Sequence, residues 1–293
     1  FFILLFFIMV KYKKLIYAVF LILLSVLAFG YRSYARPEIF SYLLLCLFFY
    51  ALEGGEKLRI LPFLQILWVN LHGYFILGPL LIFIYWIGEL ISGNAIKTKR
   101  LGIIFGLAIL ACFINPYFYK GTLYPIRILI DFFNVQKGFA GDIHELIMPA
   151  SVSFGRYIFF WILAIISSVT FIVNLKKARM QHVLVFLGAF MASYAAIRNM
   201  PIFIFMAMPL SAINLNEARV TKNIIERGYY PLFILIVLAA IYFFISNNYY
   251  TAAGQSGFRK TESRMTGALT PSKACDFLEN NRIKVRIFNT IDF

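Results

Sequence analysis

The sequence predicts an all-α, polytopic membrane protein with about ten transmembrane helices and a small, truncated α/β soluble tail. Three observations indicate this class: 61% of the 293 residues are hydrophobic, only 14% are charged, and the mean hydropathy is +0.80. Soluble domains are about 45–50% apolar and about 25% charged, so a water-soluble globule of this size could not hide so much apolar surface. The same values exclude a disordered chain and a disulfide scaffold.

Apolar runs, delimited by charged residues, prolines and glycines, predict the helices in chain order. They cover 1–10, 15–29, 39–52, 60–71, 74–91, 101–115, 156–174, 181–197, 200–214 and 229–246. Several are shorter than the roughly 20 residues that a lone spanning helix needs. Short spans are tolerable where neighbouring helices surround them. Pro62, Gly73, Gly78 and Pro79 leave open whether 60–91 forms two short helices or one broken hairpin.

The two ends of the sequence indicate a fragment of a longer chain. The run 1–10 is apolar from its first residue and would cross only about half of a bilayer core. Near the other end, Thr270 and Pro271 favour a helix start, and 282–293 alternates like a strand. We therefore expect a transmembrane domain over 1–246 and a truncated soluble tail over 247–293.

Basic residues orient the predicted spans. Alternate loops place 14 Lys and Arg residues on one side and seven on the other, and the richer side is expected to be cytoplasmic. The protein is then predicted to lie in the inner (plasma) membrane, with the loop 116–155 and the tail on the extracytoplasmic side. This topology explains much of the net charge of +15 without a nucleic-acid partner.

Known nucleotide, nucleophile and zinc motifs are missing from the sequence. It has no P-loop, no Rossmann glycine fingerprint, no serine-nucleophile elbow and no zinc signature. These absences argue against a cytosolic ATPase and a dehydrogenase. The three cysteines, Cys46, Cys112 and Cys275, have no metal-ligand spacing. We therefore predict no metal site from motifs, and no certain cofactor.

Polar residues gather on the predicted extracytoplasmic side and form the candidate site. The candidate substrate-binding residues are Arg32, Arg36, Asn70, Asn115, Arg198 and Asn199. Arginines beside a membrane surface can bind phosphate or carboxylate, or can extend to lipid headgroups. The two asparagines at span ends can equally serve as hydrogen-bonded helix stops.

Three residues are candidate catalytic groups: His72, Asp142 and Glu145. A carboxylate or imidazole at this surface could accept a proton from a hydroxyl, and the acids could hold a divalent cation. A helix break at His72 and an ordinary solvated loop around Asp142 and Glu145 are the structural alternatives. Zinc is disfavoured because no second histidine lies at ligand spacing from His72.

Several segments, in this order, resemble a family of large bacterial and archaeal membrane proteins. They are ARPEIFSYLLL, LWVNLHGYFILG, FINPYFYKGTLYP, IHELIMP, IRNMPIFIFMAMPL and, in the tail, IKVRIFN. That family is similar to the GT-C superfamily of polyprenyl-phosphate-sugar-dependent glycosyltransferases, which includes the protein mannosyltransferases. The resemblance implies an outward-facing active site in an all-helical membrane core. It also implies a catalytic acid in the first extracytoplasmic loop, which would lie upstream of Phe1.

The resemblance carries over to residues of this chain at seven positions. They are Arg36, Asn70, His72, Asn115, Glu145, Arg198 and Asn199. The implied partners are membrane lipid and a polyprenyl-phosphate-linked sugar, and the implied activity is transfer of that sugar. Two alternatives remain: a transporter or flippase of a lipid-linked or anionic substrate, since broken spans with polar residues suit it equally, and a non-catalytic structural membrane protein.

Overall fold

The computed structural model describes most of the chain between Leu15 and Ala218. The described residues are 15–30, 36–55, 57–135, 145–152, 154–218, 242 and 280. Of these, 85% are helical and none lies in a strand. The chain divides into two compact units, Phe1–Val237 and Leu238–Phe293, and the helices below all belong to the first. The predicted span 1–10, and nearly all of the span 229–246 and of the α/β tail, lie outside the described residues.

Nine α-helices form the described part of the first unit. They are α1 (Leu15–Phe29), α2 (Glu38–Gly54), α3 (Leu61–Leu71), α4 (Leu77–Ile91), α5 (Ala95–Ala111), α6 (Tyr119–Val135), α7 (Ile158–Val173), α8 (Met180–Ala195) and α9 (Met200–Glu217). Short 3₁₀ turns cover Leu58–Ile60, Gly73–Ile76, Pro149–Ser151, Phe154–Tyr157 and Ile197–Asn199. Each of the eight predicted runs in this part contains one helix, which confirms its all-α class.

The region 60–91, predicted as two short helices or one broken hairpin, contains two α-helices separated by a 3₁₀ turn. Helix α3 ends at Leu71, and the next residue, His72, has an extended backbone with φ −160° and ψ 148°. The turn Gly73–Ile76 follows and leads directly into α4. The His72 side chain accepts a hydrogen bond from the backbone N–H of Tyr74, so it caps the turn that separates the two helices.

Two helices, α5 and α6, depart most from the sequence prediction. Helix α5 begins at Ala95 rather than 101, because the Asn94 side chain accepts the N–H of Lys97 at 3.2 Å and caps the first turn. Helix α6 lies inside the segment 116–155, which was predicted to be an extracytoplasmic loop between spans, and the sequence did not predict a helix there. Charged residues such as Lys120 and Arg127 interrupt its apolar pattern, so no continuous apolar run marks it.

Helix α9 forms the centre of the core. Every residue from Met200 to Asn214 is buried, and the helix packs against α1, α2, α7 and α8. The ring of Phe203 lies 5.4–5.6 Å from the rings of Phe160, Phe186 and Phe190. A helix that is apolar on all faces is stable only when it is surrounded, and α7 and α8 provide these aromatic partners.

Helix α4 contacts α2, α5 and α8. Two glycines bring α4 close to its neighbours: a Cβ at Gly78 would collide with Gln65 of α3, and one at Gly88 would lie 2.5 Å from Oε1 of Gln181 in α8.

Within the described residues, Gly73–Ile91 and Phe154–Val173 are long and apolar enough to cross a membrane, by length and composition.

Candidate functional site

A group of side chains at one end of the helical core forms a connected network, here called the polar cluster. Its members are Arg36, Glu38, Ser41, His72, Tyr74, Glu145, Arg198 and Asn199. They come from the start of α2, the α3–α4 break, the segment before Pro149 and the turn before α9. The fold therefore gathers residues that lie more than 100 positions apart in the sequence.

Arg198 and Glu38 form the most buried ion pair of the polar cluster. Arg198 Nε donates to Glu38 Oε1 at 3.0 Å, and the Glu38 side chain is only 8% exposed. The Tyr42 hydroxyl donates to the other carboxylate oxygen at 3.1 Å. Glu38 also opens α2, where a negative charge interacts favourably with the helix dipole. Glu38 thus fixes the guanidinium of Arg198 at this end of the core.

A second ion pair, between Arg36 and Glu145, is more exposed. Arg36 Nη1 donates to Glu145 Oε1 at 2.6 Å, with side chains 48% and 29% exposed. The backbone N–H of Arg198 donates to the Glu145 carbonyl at 2.9 Å, and that of Ile197 donates to Ile147 at 3.0 Å. These backbone bonds hold the segment with Glu145 against the turn with Arg198, so both ion pairs lie side by side.

His72 connects α2 to the α3–α4 break. The indole N–H of Trp68 donates to Ser41 Oγ at 2.9 Å, and the Ser41 hydroxyl lies 3.0 Å from His72 Nδ1, to which it donates because a backbone N–H already makes Nδ1 an acceptor. The backbone N–H of Tyr74 also donates to Nδ1, at 3.3 Å. Because Nδ1 accepts two hydrogen bonds, the neutral imidazole carries its proton on Nε2.

The charge state of His72 follows from its surroundings. Burial lowers the pKa of His72 below its ordinary value of 6.5, the Glu38 carboxylate opposes this, and the positive charge of Arg198 lowers it further. The imidazole is therefore neutral at pH 7 and offers an N–H at Nε2. This arrangement favours a hydrogen-bond donor over the proton acceptor that the sequence left open.

Asn199 and Tyr74 support the position of Arg198. The Tyr74 hydroxyl donates to Asn199 Oδ1 at 2.9 Å, and Asn199 Nδ2 donates to the carbonyl of Ala192 at 3.0 Å. The guanidinium of Arg198 lies over the Tyr74 ring, 5.6 Å from its centroid. Such cation–π contact holds an arginine in one orientation.

The polar cluster contains five of the nine residues proposed from sequence. They are Arg36, His72, Glu145, Arg198 and Asn199. Two others bond elsewhere: Asn70 Nδ2 donates to the carbonyl of Ile66 in its own helix and to that of Ile114, just after α5, and Asn115 bonds within its own turn to Cys112, Tyr117, Phe118 and Thr122. Arg32 and Asp142 lie outside the described residues, so their predicted roles stay predictions.

Sequence reasoning missed Glu38, Ser41 and Tyr74. A signal existed for Ser41, because it lies three residues after Glu38 and therefore on the same face of a helix. Glu38 lies two residues after Arg36, but it directly precedes the apolar run 39–52 and was not singled out as a site residue. Nothing in the sequence relates Tyr74 to Asn199, because 125 positions separate them.

The divalent cation left open from sequence finds no site in the described part of the chain. No group of three or more His, Cys, Asp or Glu residues there could hold a metal ion. Asp142, one of the predicted ligands, is outside that part. The polar cluster therefore offers two arginines, two carboxylates, one neutral imidazole, one amide and two hydroxyls.

Comparison of the chain with protein-family models, curated proteins and solved structures finds no match.

Proposed function

We propose that this chain is a multi-pass membrane protein that binds a polyprenyl-phosphate-linked sugar at the extracytoplasmic surface and transfers the sugar to an acceptor hydroxyl. The observation that carries the proposal is the polar cluster, in which two arginines, a neutral histidine N–H and the Glu145 carboxylate meet at one end of an apolar helical core. The GT-C-like order of sequence segments, whose residues supply most of this cluster, supports the same activity.

The exposed surface of the helices supports a membrane location. Gly73–Ile91 and Phe154–Val173 are each only 39% buried, whereas a core helix of a soluble protein is mostly buried. Large aliphatic side chains are more than half exposed on α5 and α7, including Ile103, Leu110 and Ile172. Such faces suit the hydrocarbon of a bilayer. The predicted ten spans and the soluble tail belong to this proposal.

The reaction uses the polar cluster as follows. The acceptor hydroxyl oxygen forms a bond to the anomeric carbon of the sugar, and the bond from that carbon to the phosphate oxygen breaks. The polyprenyl phosphate leaves with the electron pair, and Glu145 accepts the hydroxyl proton. Arg36 and Arg198 stabilise the charge of the leaving phosphate, while His72 donates a hydrogen bond through Nε2–H. Glu38 holds Arg198 in place.

A transfer assay tests the proposal. The full chain is reconstituted in proteoliposomes with radiolabelled polyprenyl-phosphate mannose or polyprenyl-phosphate glucose, and with membranes of the expressing cells as the acceptor source. We expect sugar to move into the acceptor fraction, and Glu145→Gln to reduce this at least about hundredfold while donor binding persists. Lys176→Gln, an exposed site outside the polar cluster, is the control and should transfer normally.

The same reconstitution separates the alternatives. A transporter or flippase would move the labelled donor across the bilayer without incorporating sugar, and Glu145→Gln would leave that movement intact. A structural protein would show neither transfer nor movement in any variant. Either result would overturn the proposed activity.

A further inference from the structure

A second charged group lies at the other end of α2 from the polar cluster. There, a cavity of about 150 Å³ is enclosed by the end of α2, the second half of α4, the first two turns of α5 and the residue before α8. Its charged lining residues are Glu53, Glu89, Lys97, Arg100 and Arg179. Fifteen helical residues separate Glu38 from Glu53, about 22 Å along the axis, so this basic cavity is distinct from the polar cluster.

The carboxylates of the basic cavity are already engaged. Glu53 accepts from Arg179 Nη2 at 2.6 Å and from the Tyr85 hydroxyl at 2.7 Å, and its Oε1 lies 2.8 Å from His182 Nε2. Glu89 lies 3.6 Å from Lys97 Nζ. Among the described residues of the lining, three side chains are basic and two are acidic.

The geometry of the basic side chains suits an anion. Arg179 is 39% exposed, and a guanidinium has five N–H donors, so its bond to Glu53 leaves others for a ligand. Lys97 is 63% exposed, and its ion pair with Glu89 is long at 3.6 Å, so a doubly charged anion can replace it. Lys97 and Arg100 also lie in the first two turns of α5, where the helix dipole adds positive potential.

The size and chemistry of the cavity select among anions. About 150 Å³ is well above the roughly 10–15 Å³ that one water molecule needs, so a tetrahedral anion can enter. Guanidinium and ammonium groups are the side chains that bind phosphate oxygens in proteins. A divalent cation does not fit, because both carboxylates already have positively charged partners.

We propose that the basic cavity binds a phosphate group, supplied either by free inorganic phosphate or by the headgroup of a phospholipid. Lys97, Arg100 and Arg179 hold its oxygens. The binding is independent of sugar transfer, since no residue of the polar cluster takes part. In the topology predicted from basic residues, this phosphate lies at the cytoplasmic end of the helices.

The experiment measures thermal unfolding of the full chain in a maltoside detergent, which contains no phosphate. One arm adds inorganic phosphate, with chloride at the same ionic strength as the control. A second arm adds phosphatidic acid to the micelles, with diacylglycerol as the control. A ligand that binds the folded chain raises the unfolding temperature with its concentration. Arg100→Gln and Lys97→Gln test the site, and Lys99→Gln, exposed on the same helix but outside the lining, is the matched variant.

We expect a rise in the wild type and in Lys99→Gln, with an apparent Kd at least about tenfold weaker in Lys97→Gln and Arg100→Gln. A rise in the first arm identifies free phosphate as a ligand, and a rise only in the second identifies the lipid headgroup. The proposal is overturned if neither phosphate source exceeds its control, or if Lys99→Gln weakens binding as much as the other two. Lys97 is mostly exposed, so we expect Lys97→Gln to fold. This variant therefore tests the site even if Arg100→Gln unfolds.

Discussion

At the scale of single residues, Glu38 is a nearly buried carboxylate, and Arg198 offsets the cost of that burial. Removing one partner of a fully buried pair costs about 3–5 kcal/mol, and the partial exposure of Arg198 reduces this. We expect Arg198→Gln to lower the free energy of unfolding by about 2 kcal/mol. Unfolding in detergent, followed by intrinsic fluorescence, measures the change.

A double-mutant cycle provides the control for this pair. The double variant with Glu38→Gln removes the carboxylate as well, so its loss should be smaller than the sum of the two single losses. Additive losses would show that Arg198 and Glu38 are not coupled, and that the short Nε–Oε1 contact has no energetic role.

His72 gives stability a defined pH dependence. Its pKa is lowered in the folded protein, so below pH 6.5 the unfolded chain binds a proton that the folded chain resists. The contribution is complete above pH 6.5 and is lost as pH falls from there towards the folded-state pKa. We expect the wild type to lose more stability between pH 7.5 and 5.5 than His72→Asn, whose amide oxygen can still accept at the Nδ1 position. Equal losses in both proteins would refute this role.

At the scale of helices, the glycines of α4 set how closely it packs. A Cβ at Gly88 would lie 2.5–3.0 Å from three atoms of Gln181, whereas one at Gly188 on α8 meets nothing within 4 Å. We expect Gly88→Ala to cost about 1–3 kcal/mol of unfolding free energy through overpacking. Gly188→Ala should be neutral or slightly stabilising, since alanine favours helices.

A second substitution tests the cause of that loss. Gln181→Ala removes two of the three atoms that the new methyl group meets, Oε1 and Cδ, but keeps the Cβ at 2.8 Å, so the variant carrying both changes should recover part of the stability. If nothing is recovered, the amide end of Gln181 is not the cause of the loss.

Apolar runs predicted the described helices well, because a run of this length is a local property. Helix α6 was missed because Lys120 and Arg127 interrupt its pattern, and α5 started early because Asn94 caps it. The sequence predicted individual residues of the candidate site but not the contacts between them. The sequence cannot show that Glu145 meets Arg36, 109 positions away, since such pairs depend on how the helices pack.

At the scale of the whole molecule, the two ends of the helical core carry two different groups of charged side chains. Basic residues from three predicted cytoplasmic loops lie at or near one end: Arg179, Lys97 and Arg100 line the basic cavity, as does Leu58 beside Lys57. The polar cluster occupies the other end. Helices that cross a membrane in alternating directions would place these two groups on opposite sides. The predicted orientation can therefore be tested directly.

Single cysteines at the two ends test that orientation. In a background with Cys46, Cys112 and Cys275 replaced by serine or alanine, Ala150→Cys marks the end with the polar cluster and Lys99→Cys marks the end with the basic cavity. Both positions are exposed. In intact cells, a membrane-impermeant maleimide should label Ala150→Cys at once and Lys99→Cys only after permeabilisation. Labelling in the reverse order would put the polar cluster on the cytoplasmic side, where an outward-facing sugar transfer could not occur.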